Sequence, residues 1–159
     1  MFDPAETLRL IASSIGVVAL ITVAVGATAP RWPAHWLRRD RGPLHLAAFE
    51  SVERYRALGF HRLARKLPEA GRAFGGKTKR VVPDRSDAAI NMHLVELRRG
   101  EWVHWLSNLS AVPLFWLNPW WLTVAFCLLV ACVNFTFIGI LRLNRLRYLT
   151  LSGRLREGA

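Results

Sequence analysis

Residues 91–108 read NMHLVELRRGEWVHWLSN. Asp, Glu, Lys and Arg are frequent up to Glu101 and absent from Trp102 to Leu141. A charged segment here runs directly into an apolar one. Read as a helix, the stretch puts His93, Glu96, Gly100, His104 and Ser107 on one face, with Asn108 at its edge. Glu96 and His104 then lie roughly 12 Å apart along the axis, at about 1.5 Å per residue. Ionisable groups at the lip of a membrane are costly to hold there, so His93, Glu96, Glu101 and His104 are functional candidates.

The apolar run from Trp102 to Leu141 is too long for one membrane helix and right for two, with Asn118-Pro119 as the turn between them. This predicts spans over 97–117 and 119–141. Another uncharged run, residues 10–29, predicts a span over 8–29. A cleaved signal peptide would also be apolar and would end in small residues such as Ala27-Thr28-Ala29. The flank before the run is acidic, with Asp3 and Glu6 against Arg9, and the run is long, so an uncleaved span is expected. Trp32 and Trp36 follow the first span, Trp102 and Trp105 open the second, and Trp116, Trp120 and Trp121 flank the turn, as in aromatic belts.

The chain has 159 residues, 22 Lys plus Arg, 11 Asp plus Glu, and 52% hydrophobic residues. High charge and high hydrophobicity coexist when they are segregated, as in a small membrane protein with basic loops. Sixteen Lys and Arg fall in 30–101, five in the tail from Arg142 and none in 118–121. The positive-inside rule then puts the segment 30–96 and the tail 142–159 in the cytoplasm and the N-terminus outside. That rule explains the basic charge without nucleic acid. Cys127 and Cys132 lie in an apolar run and read as free thiols.

Between the first two spans, Phe49, Val52, Phe60, Leu63 and Leu67 share one helical face, which predicts an amphipathic interfacial helix over 45–67 with Glu50 and Arg54 as an i,i+4 pair. Residues 71–86 read as a glycine-rich basic loop, and Ser86 or Asp87 as the cap of the next helix. Gly71–Thr78, GRAFGGKT, matches the phosphate-loop pattern. It lacks the preceding buried strand and following helix that the pattern requires, so a nucleotide site is not expected. Lys77, Lys79 and Arg80 could still meet a phosphate-bearing ligand. His35 and Asp40 fit an H-x4-D spacing used by glycerolipid acyltransferases, but no second motif of that kind follows. An interfacial histidine is the simpler reading.

Two chemistries suit the face at 91–108. His93-x-x-Glu96 and Glu101-x-x-His104 have the spacing of helical carboxylate metal sites, but those draw on four helices and the chain offers no matching set, so no metal is expected. In acid–base chemistry, His104 takes a proton from a hydroxyl while Glu101 or Glu96 orients the imidazole. Plain interfacial ion pairing is the bland alternative for the carboxylates.

The segments E96-L-R-R-G-E-W-V-H-W105 and N134-F-T-F-I-G-I-L-R-L-N-R-L-R147 resemble the glycosyl-4,4'-diaponeurosporenoate acyltransferase family of small bacterial membrane enzymes. The family's Glu, R-x-E-x-x-H-W, Asn and R-x-N-R-x-R elements fall on Glu96; on Arg99, Glu101, His104 and Trp105; on Asn134; and on Arg142, Asn144, Arg145 and Arg147. Lys66–Phe74 is similar to the family's basic L-P-x-x-G-x-x-F element, and Thr136 departs from it where Pro is expected. The resemblance implies transfer of a fatty acyl group, from acyl-CoA or a similar thioester, to a hydroxyl of a glycosylated lipid. A carotenoid glycoside is one such acceptor.

The reading is an all-α membrane protein of one domain, 1–159, with three transmembrane helices, no cofactor, and membrane lipids around it. His104, Glu101 and Glu96 are the catalytic candidates. Arg99, Asn134, Arg142, Asn144, Arg145 and His93 are the substrate-binding candidates. Counting out from Pro119 puts His104 and Asn134 at one depth, and Glu96 and Arg142 at another. A homo-oligomer stays open, and the alternative is a non-enzymatic accessory subunit whose polar stripe docks a partner.

Overall fold

The computed structural model describes residues 3–67 and 86–153, and among these all regular structure is helical. Helix α1 spans Pro4–Thr28. Asp3 caps it, accepting from the Ala5 N–H at 3.0 Å, and Pro4 takes the first turn, where its missing N–H costs nothing. The chain then makes short 3₁₀ turns at Ala29–Arg31, Ala34–Leu37 and Gly42–Leu44. Two short helices follow, α2 (Val52–Ala57) and α3 (Phe60–Lys66).

Helix α4 spans Asp87–Ser107 and is capped by Ser86, one of the two caps the sequence offers, whose hydroxyl accepts from the Ala89 N–H. A 3₁₀ turn (Asn108–Ala111) and one turn of helix, α5 (Leu114–Leu117), lead to α6, Trp120–Leu151. The basic loop, the phosphate-loop match at 71–78 and most of Lys66–Phe74 lie outside the described residues.

Among the described residues, two helices are long and apolar enough to cross a membrane: the 28 residues from Pro4 to Arg31 and the 32 of α6. The expected third span over 97–117 is corrected. Its helix stops at Ser107, and Pro113 explains why it does not resume unbroken. Proline lacks the N–H that helix continuation needs, and its ring clashes with the carbonyl four residues back. The Leu114 carbonyl accepts both the Asn118 N–H and the Thr123 hydroxyl, each at 3.0 Å, which ties the short helix α5 to the start of α6.

The expected amphipathic helix over 45–67 is also broken. Gly59, at φ +82°, ends α2 in the left-handed region that glycine enters cheaply. Phe49 is exposed. Glu50 lies before α2, so the Glu50–Arg54 helical pair does not form; Glu50 instead accepts from the Ala47 N–H and the Tyr55 hydroxyl.

The core has two parts. Ala111, Leu114, Leu122, Phe126 and Val130 pack with Leu10, Ile11, Val17 and Val18 of α1. Ile90, Leu94, Leu97 and Leu141 form the other part, with Tyr148 and Leu149 against them. The Asn118 amide donates to the Ser14 hydroxyl at 2.7 Å, which ties the first half of α1 to the turn before α6. At the far end of α1, Arg99 of α4 donates to the Ala29 and Pro30 carbonyls. The starts of α1 and α6 thus lie together, and α4 leads back from the end of α1 toward them. The rest of α1 presents apolar side chains outward, Leu8, Ile15, Leu20 and Val23 among them.

Candidate functional site

The site forms where α4 packs along α6. The His104 Nδ1 lies 2.9 Å from the Asn134 Oδ1. The count outward from Pro119 anticipates this contact. The Asn134 Nδ2 donates to the Val130 carbonyl at 3.0 Å, which fixes which end of the amide faces the histidine. An amide oxygen can only accept, so Nδ1 carries the proton and Nε2 is the basic nitrogen of the neutral ring. Phe137 stacks on the imidazole, with centroids 4.8 Å apart and planes 3° from parallel. His104 is half-buried and Asn134 buried. The imidazole is thus held at one nitrogen and across one face.

The sequence reading makes Glu101 the group that orients His104. The Nδ1 partner is instead Asn134, and Glu101 faces two arginines. Its side chain is fully buried, with Oε2 3.4 Å from the Arg142 Nε and Oε1 3.3 Å from an Arg145 terminal nitrogen. These contacts are electrostatic, since neither has hydrogen-bond alignment. Glu101 lies one turn before His104 on α4, and Arg142 and Arg145 lie beyond Asn134 on α6, so the two contacts fall at different levels of the helix pair.

The network extends to residues the sequence reading leaves aside. Arg142 pairs with Glu50 and donates to the Pro43 carbonyl. Arg145, fully buried, reaches Asp40 at 3.5 Å and donates to the Leu44 carbonyl. Arg98 holds the same Asp40 oxygen at 2.6 Å. Three arginines therefore meet three carboxylates, Asp40, Glu50 and Glu101. Buried charges persist when paired this way. Burial pushes the Glu50 carboxyl up, but its bonds to Tyr55, the Ala47 N–H and Arg142 win, and its pKa is lowered overall. Burial, and then Glu50, push Tyr55 up to about 12, so it stays a hydroxyl donor.

The other expected residues lie apart from His104. Glu96 pairs with Arg99 at 3.5 Å, not with Arg142. Arg99 caps the carbonyls that end α1, a favourable place for a cation. The guanidinium groups of Arg99, Arg142 and Arg145, expected to bind substrate, are thus engaged by protein acceptors. His93 is buried edge-on against Tyr148, with centroids 4.5 Å apart, and sits about 16 Å along α4 from His104. Asn144 is half-buried beside the network. His35 packs edge-on against Trp36 while Asp40 enters the network, so the H-x4-D pair does not act together. Among the described residues no group of three or more metal-ligating side chains converges.

Arg98, Asp40 and Glu50 could not be placed from the sequence, since their partners are 58 to 105 residues away. Only the R-R-D-R run at 38–41 hinted at a carboxylate held among cations.

Comparison with known proteins gives one finding. Neither a curated protein nor a solved structure matches the chain. The family model described as glycosyl-4,4'-diaponeurosporenoate acyltransferase matches residues 33–154, which include α4, α6, His104, Asn134 and the whole arginine–carboxylate network. With that match over most of its length, the chain belongs to the glycosyl-4,4'-diaponeurosporenoate acyltransferase family.

Proposed function

We propose that the protein is a membrane acyltransferase that moves a fatty acyl group from a thioester, such as acyl-CoA, to a hydroxyl of a glycosylated lipid. The observation that carries this reading is the His104–Asn134 pair, which leaves Nε2 as a base between two packed helices. The family match supports the reaction class and a carotenoid glycoside as acceptor.

In the proposed step, His104 Nε2 takes the proton of the sugar hydroxyl as its oxygen attacks the thioester carbonyl carbon. The tetrahedral intermediate collapses, the C–S bond breaks, and the imidazolium returns its proton to the thiolate. Asn134 accepts from Nδ1–H throughout and so holds the ring in the productive tautomer. Arg142, Arg145 and Glu101 act as positioning residues that clamp α4 to α6 beside the base. Glu96 acts with Arg99 at the end of α1. The basic segment after α1 and the tail after Arg142 face the cytoplasm under the positive-inside rule, the side of a soluble thioester donor.

The test is acyl transfer by purified protein from a labelled acyl-CoA to a glycosyl carotenoid, with the ester detected by mass spectrometry. Transfer that is lost in His104→Ala while the protein stays folded supports the reading. No transfer by the wild type to any glycosylated lipid would favour an accessory subunit.

A further inference from the structure

The segment after α1 carries Arg31, Arg38, Arg39, Asp40 and Arg41 together with Trp32 and Trp36. The fold sorts these charges. Asp40 turns inward to Arg98 and Arg145. Arg38, Arg39 and Arg41 stay exposed, and no carboxylate among the described residues pairs with them. The acid that would neutralise this run is spent inside, and the cations are left on the surface.

Beside them is a cavity of about 310 Å³, lined by Trp32, Trp36, Leu37, Arg41, Trp102 and Leu106. Its wall is three indoles and two leucines, with one guanidinium. Such a slot with uncompensated cations selects a ligand that has both a hydrocarbon chain and an anionic head. A small soluble anion would leave the slot unused, and a neutral lipid would leave the arginines unused. The volume is at the low end for ligand pockets, which suits part of one chain rather than a whole lipid. The cavity also follows directly on the end of an apolar helix, where headgroups meet a membrane protein and tryptophans gather. Trp36 remains 56% exposed there.

We infer that this slot binds an anionic phospholipid of the surrounding membrane, with one acyl chain among the indoles and the phosphate on Arg41, in the field of Arg38 and Arg39. The site is separate from His104. Trp102 and Leu106 are each two residues from it on α4, about 200° round the helix.

The test is native mass spectrometry of the full chain, purified in detergent and offered equal amounts of dioleoyl phosphatidylglycerol and dioleoyl phosphatidylcholine. The wild type should retain the anionic lipid in preference. The double variant R38Q/R41Q should lose about tenfold or more of that preference, given the attraction of each basic residue to an anionic surface. R62Q/R65Q, which removes two exposed cations from α3, should keep it. Trp36→Ser should weaken retention of both lipids and, being exposed, should not prevent folding. Equal retention of the two lipids by the wild type, or an unchanged preference in R38Q/R41Q, would overturn the inference. An equal loss in R62Q/R65Q would also overturn it, by reducing the effect to general surface charge. Preferential capture of palmitoyl-CoA, with no displacement by phosphatidylglycerol, would assign the slot to a thioester donor instead.

Discussion

At the residue scale, the proposed chemistry depends on which nitrogen of His104 carries the proton. Asn134 decides this because its own Nδ2 is committed to the Val130 carbonyl. Asn134→Ala should lower turnover by about tenfold to a hundredfold while leaving KM nearly unchanged, since it removes the orienting bond and not the base. Asn134→Asp keeps an acceptor for Nδ1–H and adds a negative charge that favours the imidazolium. The imidazole pKa rises, so the acid limb of the pH–rate profile should move to higher pH. A purely structural Asn134 would change folded yield and leave that limb in place. Glu50 gives a separate pH signature. Its folded pKa lies below the usual 4.5, so its contribution to stability is present above pH 4.5 and is lost as pH falls below that value. Thermal denaturation across pH 3 to 6 should show a loss on the acid side that is smaller in Glu50→Gln.

Two devices matter at the element scale: the join of α3 to α6 and the break after α4. A Cβ built on Gly139 would lie 2.4 Å from the Phe60 ring, so the glycine is what lets that ring sit on α6. Gly139→Ala should destabilise the fold by about 1–3 kcal/mol through overpacking, and Phe60→Leu in the same chain should restore part of the loss. Full additivity of the two substitutions in thermal melts would contradict the contact. The helices α1 and α6 were legible from the sequence because a long uncharged run has one cheap solution in lipid. The Ser86 cap was legible from its position before the next helical run. The break after Ser107 was harder to read: Trp102–Leu117 is apolar enough to suggest a span, and composition does not reveal how Pro113 and a 3₁₀ turn divide it. Gly59 likewise hid inside a helical periodicity. The position of Asn134 against His104 was readable from equal counts outward from Pro119, although the break after Ser107 means that the count does not run along one continuous helix.

For the whole molecule, the arginine–carboxylate network sets the geometry. Tail arginines meeting carboxylates of α4 could be foreseen, but not that Asp40 and Glu50, far back in the chain, complete the charge balance. Pairings across such separations depend on tertiary contacts that leave no local pattern. Removing one charge should therefore cost more than a surface ion pair. Glu101→Ala is expected to lose about 3–5 kcal/mol, because it leaves three arginines to share two carboxylates, with Arg142 held by Glu50 alone and Arg145 by Asp40 alone. A loss below about 1 kcal/mol in chemical denaturation would show that the network is solvated. Sidedness is checked by thiol labelling in a background with Cys127 and Cys132 replaced by Ser. A cysteine at position 65 should react from the cytoplasmic side and one at 119 from outside, and the reverse pattern would separate the site from a cytosolic donor. The most direct test of His104 as the base is single-turnover acyl transfer by purified wild-type and His104→Ala protein, matched for thermal stability. A fall in the chemical step of about 10²-fold or more, with donor binding retained, is the expected result. Equal rates in the two proteins would contradict it.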